Sequence, residues 1–371
     1  MTNFFPTYLA MEKAFCNRTL ELARLKHNIA AGTPTLLISP RRYGKTSLIL
    51  KALDQEKLPF AYVDLYKAFS EEEVIHYILT GVGQLLGKIE PTPKKLLSLA
   101  SDLFSKIHIR VALHQTNLSL EFGKEKKVSI DLLLQTFEKL DELGKKQKKK
   151  LIFFLDEFQM VGEVSKNFAI EAVLREIAQK AKSLIFIFCG SNRHLMEQMF
   201  SDKKRPFYKL CDQINLERIS FSDYEKYIQH AAQINWKKKL DSDTVDIILK
   251  LTERHPYYVN KLCSILWQDK QRPTQAKAEQ TWLHSMRENK SITERELSLL
   301  SLNQRRLLVF MAEREGIKSI FSTESISNTN MSLGAIQSAL KGLIRLDYVF
   351  KDQEGAYHIL DPLLKGILQL N

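Results

Sequence analysis

The chain has 371 residues, of which 44% are hydrophobic and 26% are charged, with 14 glycines and 10 prolines. This composition is typical of a globular protein and excludes collagen-like, proline-rich and mainly disordered chains. No apolar run approaches the ~18 residues that a membrane-spanning helix needs, and the first ten residues lack the basic start and apolar core of a signal peptide. We therefore expect a cytoplasmic protein that does not enter the membrane.

The formal net charge is +12, and its distribution along the chain is uneven. From Ser291 to the end the chain carries 9 basic and 9 acidic residues, so the whole excess lies in the preceding part. A basic surface attracts polyphosphates and nucleic acids, which makes DNA a candidate partner. Short basic runs such as 145–150 and 203–205 are also common on solvated loops and helix faces.

Short apolar segments alternate with helical patterns up to about residue 220. Strands that are apolar throughout are typical of a parallel sheet covered on both faces, so the pattern predicts an α/β core. We predict helices over Thr19–Ala30 and Lys45–Leu53, and strands over Thr35–Ser39, Phe60–Asp64, Leu151–Leu155, Leu184–Phe188 and, more weakly, Asp212–Ile219.

The segment of about residues 66–150 is longer than a minimal α/β unit requires. Ile107–Leu113 and Asn117–Phe122 alternate like strands, and Gln115–Asn117 could turn a hairpin between them. We therefore predict an insertion that contains helices and a β-ribbon.

The pattern after Phe221 is helical, and we predict domains over 1–220 (core), 221–290 (helical lid) and 291–371 (winged helix). The lid helices are predicted over Ser222–Trp236, Ser242–Glu253, Pro256–Gln268 and Gln275–Arg287, with Ser222 and Ser242 as N-caps. Helices over Asn303–Glu313, Thr323–Asn328 and Ser332–Arg345, followed by strands over Tyr348–Phe350 and Ala356–Leu360, have the order of a winged helix.

A glycine-lysine-threonine sequence follows the first predicted strand and opens a helix, as a phosphate-binding loop requires. Backbone N–H groups and the helix N-terminus would surround the phosphates of ATP. Lys45 would reach the β- and γ-phosphates, and the Thr46 hydroxyl would bind Mg²⁺. Ser39 stands where the usual pattern begins with glycine, which is tolerated if its φ stays negative. The predicted loop comprises Ser39, Pro40, Arg41, Arg42, Tyr43, Gly44, Lys45, Thr46 and Ser47.

Two carboxylates end the strand that begins at Leu151, at the edge where open α/β sheets bind ligands. Asp156 is predicted to complete the Mg²⁺ site, and Glu157 to polarise the attacking water. Each is a weak signal alone, because strands often end in acidic residues. Together with the phosphate-binding loop they predict ATP hydrolysis.

Polar residues also follow the strand that begins at Leu184. Asn192 and Ser191 are candidates for sensing the γ-phosphate from this neighbouring strand end. Glycine, serine and asparagine are also common in turns, so Gly190-Ser191-Asn192 could equally be a turn after the strand, and both interpretations stay open.

Several motifs together resemble the archaeal-type ATPase family, a branch of the AAA+/STAND P-loop ATPases, over nearly the whole chain. They are Asn17-Arg18, the Arg41-Arg42 loop, Asp156-Glu157-Phe158-Gln159, Cys189-Gly190-Ser191, His255-Pro256-Tyr257-Tyr258 and Asp361-Pro362. The resemblance implies a P-loop core with a parallel sheet, a helical lid and a C-terminal winged helix. It also implies that Asn17 and Arg18 lie near the adenine, and that His255 and Pro256 belong to a lid motif that touches nucleotide.

Three arginines have roles that the resemblance leaves open. The family usually has glycine before His-Pro, and Arg254 stands there, either as a lid arginine or as a solvated charge. Arg205 is a candidate arginine finger that would reach a neighbour's γ-phosphate, with Arg193 as the competitor and a basic surface loop as the alternative.

We therefore expect a Mg²⁺-dependent ATPase switch that transmits its nucleotide state to a protein partner, with ATP-dependent assembly open and a monomeric resting state favoured. The alternative is a nucleotide-regulated DNA-binding protein, in which Gln337, Lys341 and Arg345 would face the bases. The C-terminal segment from Ser291 has no net charge, so binding to a protein or autoinhibitory binding within the chain is at least as well supported as sequence-specific DNA binding.

Overall fold

The computed structural model describes residues 3–90, 92–104, 109–114, 117–122, 130–165, 167–352 and 354–370. The chain divides into two compact units. The α/β unit comprises residues 18–41 and 45–216, and the helical unit comprises residues 1–17, 42–44 and 217–371. Among the described residues, no helix is both long and apolar enough to cross a bilayer.

Helices and strands alternate in the α/β unit. In chain order they are α1 (Thr19–Ala31), β1 (Thr35–Ile38), α2 (Lys45–Glu56), β2 (Phe60–Asp64), α3 (Glu71–Ile89), α4 (Pro93–Leu103), β3 (Ile109–His114), β4 (Asn117–Phe122), α5 (Ile130–Gln147), β5 (Leu151–Asp156), α6 (Gln159–Val164), α7 (Ala169–Lys180), β6 (Leu184–Gly190), α8 (Arg193–Ser201) and β7 (Asp212–Asn215).

Five parallel strands form the sheet of the α/β unit, in the order β2-β5-β6-β1-β7. Every residue of β5 and β6 is buried, which agrees with their continuous apolar sequences. In register, Asp64 pairs with Asp156 and Ile38 pairs with Gly190. The carboxyl ends of β1, β2, β5 and β6 therefore meet at one edge, and the predicted parallel sheet is confirmed.

The weak strand predicted over Asp212–Ile219 is shorter than expected. It ends at Asn215, because β7 is an edge strand whose one partner, β1, ends at Ile38. The backbone N–H of Leu216 still donates to Ile38 O over 3.1 Å.

The predicted β-ribbon is present as β3 and β4, which pair antiparallel with Ile109 opposite Phe122. Helices α3 and α4 precede this ribbon and α5 follows it. The predicted start of the first strand at Ile107, and Gln115 and Thr116 of the predicted hairpin, lie outside the described residues.

Helices dominate the helical unit, which begins with a short 3₁₀ helix (Glu12–Ala14). The other elements are α9 (Phe221–Trp236), α10 (Ser242–Leu251), α11 (Pro256–Leu266), α12 (Gln275–Ser298), α13 (Leu302–Ala312), α14 (Thr323–Thr329), α15 (Leu333–Arg345), β8 (Val349–Lys351), β9 (Tyr357–Ile359) and α16 (Pro362–Gln369). Strands β8 and β9 pair antiparallel, as the wing of a winged helix does.

Both predicted N-caps of the lid helices were wrong. Ser220 caps α9, because its hydroxyl accepts from Asp223 N, whereas Ser222 lies inside the first turn. Asp241 precedes α10, and Ser242 is the first helical residue. Helix α12 also continues past the predicted end at Arg287, since no glycine or proline interrupts it before Ser298.

Helix α16 was not predicted, and it joins two apolar clusters of the helical unit. Leu363 and Ile367 pack with the lid helices, whereas Leu364 and Leu368 pack with the winged helix. The spacing of these residues places the two pairs on adjacent stripes of one helix. Helix α16 therefore contacts both the predicted lid helices and the predicted winged-helix segment.

Candidate functional site

The predicted phosphate-binding loop lies between the end of β1 at Ile38 and the start of α2 at Lys45. Left-handed backbone conformations occur at Arg42 (φ 65°) and Gly44 (φ 87°), and not at Ser39. The first loop residue therefore needs no glycine, which explains why the serine is tolerated. Ser39 and Ser47 are buried.

Lys45 directs its ammonium back across the loop. Its Nζ donates to Ser39 O over 2.9 Å and to Pro40 O over 3.0 Å, and the side chain is 6% exposed. Backbone carbonyls thus hold the charge at the place where the loop would receive phosphate oxygens.

Asp156 ends β5 beside the first turn of α2. Its Oδ2 accepts from Thr46 Oγ1 over 2.9 Å and from Tyr62 Oη over 3.3 Å. Burial raises the pKa of Asp156, although hydrogen bonds from Thr46 and Cys189 act against burial. A buried carboxylate beside a hydroxyl is a donor set that suits Mg²⁺ when phosphate oxygens and waters complete the shell. Thr46 and Asp156 therefore fit the predicted metal site.

Glu157 follows in a left-handed conformation, with φ 51°. Its Oε2 accepts from Ser191 Oγ over 2.7 Å and from the side-chain amide of Gln159. The sequence predicted no role for Gln159, which is the last residue of the Asp156-Glu157-Phe158-Gln159 motif. The geometry thus brings the predicted water-polarising residue next to one of the two sensor candidates.

The other sensor candidate, Asn192, has a structural contact. Its Oδ1 accepts from Leu195 N over 3.1 Å and caps α8, of which Arg193 is the first residue. Arg41 of the loop approaches Ser191, with 3.5 Å between its Nε and the serine Oγ. The arrangement favours Ser191 over Asn192 as the side chain that connects the loop to Glu157.

The predicted finger residue, Arg205, is bound inside the α/β unit. Its Nη2 lies 2.5 Å from Glu171 Oε1, and its guanidinium stacks over Phe168 at 4.1 Å. Glu171 is fully buried and Arg205 is 13% exposed. A finger role stays a prediction, and it requires this pair to open.

Arg18, predicted to lie near adenine, is buried and forms an ion pair with Glu21 over 3.0 Å. Asn17 and Arg18 both have left-handed conformations, with φ 49° and 70°. Their role near adenine stays a prediction.

Within the helical unit, residues 42–44 contact the predicted lid motif. The Arg42 guanidinium lies 4.1 Å from the Tyr257 ring centroid, and the rings of Tyr43 and His255 are 4.8 Å apart. His255 precedes Pro256, the first residue of α11. Burial, with Arg218 second, lowers the pKa of His255 to about 3, so its ring is neutral at physiological pH.

Arg254 occupies the position before His255 where the resembled family usually has glycine. Its φ is 58°, the left-handed conformation that glycine adopts without strain. Arg254 is exposed, so this position combines a left-handed backbone with a surface charge.

Arg218, which is 15% exposed, is a residue that sequence reasoning missed. Its Nη1 donates to Glu253 Oε2 over 2.6 Å, its Nη2 to Leu360 O over 3.1 Å, and its Nε to Tyr43 Oη over 3.4 Å. Lys365 of α16 binds the other oxygen of Glu253 over 2.8 Å. No local pattern could have identified Arg218, because its partners are far away in the sequence.

The two quoted motifs of the helical unit also meet. Tyr258 Oη donates to Asp361 Oδ2 over 2.5 Å, and Asp361 Oδ1 accepts from Leu363 N and Leu364 N at the start of α16. The helix cap of α16 is thus tied to the lid helix that begins at Pro256.

Comparison with known families gives two matches. The family described as "ATPase domain predominantly from Archaea" matches residues 15–262, and one described as "Probable winged helix domain" matches residues 293–369. Comparison with curated proteins gives no significant match.

Among the solved structures that match, two share the fold at low sequence identity. The Walker-type ATPase PABY2304 of Pyrococcus abyssi is 18% identical, with a TM-score of 0.70 over 99% of each chain. The ORC2 protein of Aeropyrum pernix, in its ADPNP–ADP complexes, is 14% identical, with a TM-score of 0.55 over 99% of this chain and 97% of that one. The five-stranded sheet, the loop after its first strand and the match over residues 15–262 agree, and the chain belongs to the family of ATPase domains found predominantly in Archaea.

Proposed function

We propose that the protein is a Mg²⁺-dependent ATP-hydrolysing switch whose nucleotide state is transmitted to a partner. The observation that carries this proposal is the meeting of Thr46 and Asp156, 2.9 Å apart, with Glu157 next in the chain. These side chains are of the types needed for metal binding and for activation of water.

In the proposed reaction, Lys45 and the loop backbone bind the phosphates of ATP. Thr46 and Asp156 would hold Mg²⁺, which supplies neutralisation of the phosphate charge. Glu157 accepts a proton from water as the water oxygen bonds to the γ-phosphorus. The bond from that phosphorus to the bridging oxygen breaks, which yields ADP and inorganic phosphate.

The contacts of Arg218 support the switch part of the proposal. This side chain joins Tyr43 of the loop, Glu253 of the lid and Leu360 at the end of the wing. Since Tyr43 also packs on His255, a change of loop conformation would alter the partners of Arg218. The winged helix would then change its mobility with the nucleotide.

Phosphate release over a Mg²⁺ titration tests the enzymatic part. We expect Glu157→Gln to retain ATP affinity and to turn over at least about 100-fold more slowly. Lys45→Ala should bind ATP at least about 100-fold more weakly, because charge-assisted contacts to the phosphates are lost. Lys67→Ala, an exposed lysine of the same unit, is the control. Wild-type ATP affinity in Lys45→Ala would contradict the loop assignment.

Hydrogen exchange of residues 354–370 tests the switch part. We expect different exchange in the ATP-bound Glu157→Gln protein and in the ADP-bound wild type. The same exchange in both states would show that the winged helix does not respond to the nucleotide.

DNA binding is the second candidate function, and one observation favours it. Gln337, Lys341 and Arg345 are all exposed on α15 at four-residue spacing, which places them on one face. Gel shifts at increasing salt concentrations test this candidate. The absence of any shift at low salt, with or without ATP, would exclude it.

A further inference from the structure

Gln159, the first residue of α6, is a polar side chain that the proposed reaction does not yet use. It is 3% exposed, and its amide nitrogen donates to Glu157 Oε2. A carboxylate only accepts hydrogen bonds, so the amide nitrogen must face Glu157. Ser191 donates to the same oxygen over 2.7 Å. Two donors, one from α6 and one from the end of β6, therefore fix a single oxygen of Glu157.

The oxygen of the Gln159 amide shows that packing alone does not explain why a glutamine stands at this position. Gln159 Oε1 is buried and has no hydrogen-bond partner among the residues that the structure describes. Leaving a buried acceptor unpaired costs about 1–3 kcal/mol. An apolar side chain of similar length would avoid that cost, so the amide is explained by the hydrogen bond that it donates.

Gly190 provides the space that this amide needs. A Cβ atom at Gly190 would lie 2.7 Å from Gln159 Oε1 and 2.6 Å from Met196 Sδ. Both distances are far below normal contact, so any larger residue would displace the side chain of Gln159. The small residue at the end of β6 therefore maintains the hydrogen bond to Glu157.

We propose that Gln159 is a positioning residue for Glu157, an inference that rests on the proposed hydrolysis of ATP. With Ser191, it fixes Oε2 of Glu157 and leaves Oε1 to accept the proton of the attacking water. Fixing one oxygen restricts the rotation of a carboxylate that is carried on a flexible side chain. This orientation raises the rate of the chemical step and contributes little to ATP binding.

Steady-state kinetics of Gln159→Met test the proposal, with calorimetry of ATP binding beside them. Methionine keeps the length of the side chain and removes the donor. We expect kcat to fall about 10- to 100-fold, while ATP affinity stays within about twofold of wild type. Gln179→Met makes the same change at an exposed position of α7 and should leave kcat unchanged.

The Glu157→Gln background separates positioning from a structural role. A residue that acts through Glu157 has little further effect once Glu157 is replaced, so the double variant should turn over like Glu157→Gln alone. An equal loss from Gln159→Met in both backgrounds would overturn the proposal. An unchanged or raised kcat in the single variant would overturn it as well.

A second variant covers the case in which Gln159→Met folds poorly. Gln159→Leu also removes the donor, with a side chain of different shape, and should lower kcat about as much as Gln159→Met. Wild-type kcat in Gln159→Leu would also overturn the proposal. If Glu157→Gln itself turned over like wild type, the proposed function would fail first, whereas a slow Glu157→Gln with a normal Gln159→Met would refute only the positioning role.

Discussion

The α/β unit and the helical unit each contain an arginine–glutamate pair with little exposure to solvent, and the pKa values of the two glutamates shift in opposite directions. Glu171 binds Arg205, and burial raises its pKa to about 6 although the arginine opposes this. Glu253 binds Arg218 and Lys365. Burial also acts to raise the pKa of Glu253, but the two cations outweigh it and the pKa lies below its usual range.

One cation does not compensate for the desolvation of Glu171, which is fully buried, whereas two cations do so for Glu253, which is 21% exposed. The Glu171–Arg205 pair is therefore costly to keep charged within the α/β unit. Arg218 and Lys365 hold Glu253 in its charged form, and Arg218 still has donors for Tyr43 and Leu360. The first pair joins α7 to the segment between α8 and β7, and the second connects three segments of the helical unit.

The largest effect is expected for Arg218→Ala. It removes one of the two cations on Glu253 and leaves Leu360 O without this donor, so the free energy of unfolding should fall by about 3 kcal/mol. Urea denaturation measures the loss, with Arg175→Ala on the exposed face of α7 as the control. A loss as small as that of the control would mean that Lys365 alone suffices for Glu253.

Arg205→Ala should cost somewhat less, about 2–3 kcal/mol, because Glu171 can take up a proton when it loses its partner. If the pair is structural, turnover per wild-type chain should not depend on protein concentration. A finger supplied in trans predicts the reverse. Turnover per chain would rise with protein concentration, and the Arg205→Ala substitution would remove that rise. Mixing the Arg205→Ala protein with the Glu157→Gln protein would restore activity.

Replacing each glutamate by glutamine sharpens the comparison at pH 7. Glu253→Gln should lower the free energy of unfolding by about 1–2 kcal/mol, since two cations lose their charged partner. Glu171→Gln should be within about 1 kcal/mol of wild type or more stable, because it removes a charge that burial disfavours. Chemical denaturation of both variants measures the difference, and equal losses would contradict the role of the second cation.

The smallest effect is a pH dependence of stability. Between its ordinary pKa and about 6, Glu171 binds a proton in the folded state that the unfolded chain has released. Its contribution is therefore fully present below about pH 4.5 and is lost as the pH rises through 6, by about 1 kcal/mol or more. We subtract the free energy of unfolding of Glu171→Gln from that of the wild type, and this difference should fall as the pH rises from about 4.5 to about 7. A flat difference would show that Arg205 fully offsets burial.

The sequence predicted the features that depend on neighbouring residues. The apolar strands β5 and β6, the loop before Lys45 and the acidic end of β5 are continuous in the chain, and their structures match the predictions. The ion pair of Arg205 was not predicted, because residues 203–205 form one basic run in the sequence. Its partner, Glu171, is 34 residues away. Arg218 and Gln159 were missed for the same reason, since their roles come from contacts that only the folded chain creates.

The position of the aromatic residues has a consequence for spectroscopy. The three tryptophans, Trp236, Trp267 and Trp282, all belong to the helical unit. The ring of Trp282 lies 5.8 Å from Tyr258, whose hydroxyl binds Asp361 at the start of α16. Tryptophan fluorescence therefore reports on the helical unit. Rapid mixing of unlabelled protein with ATP would time the response of the lid without any attached dye.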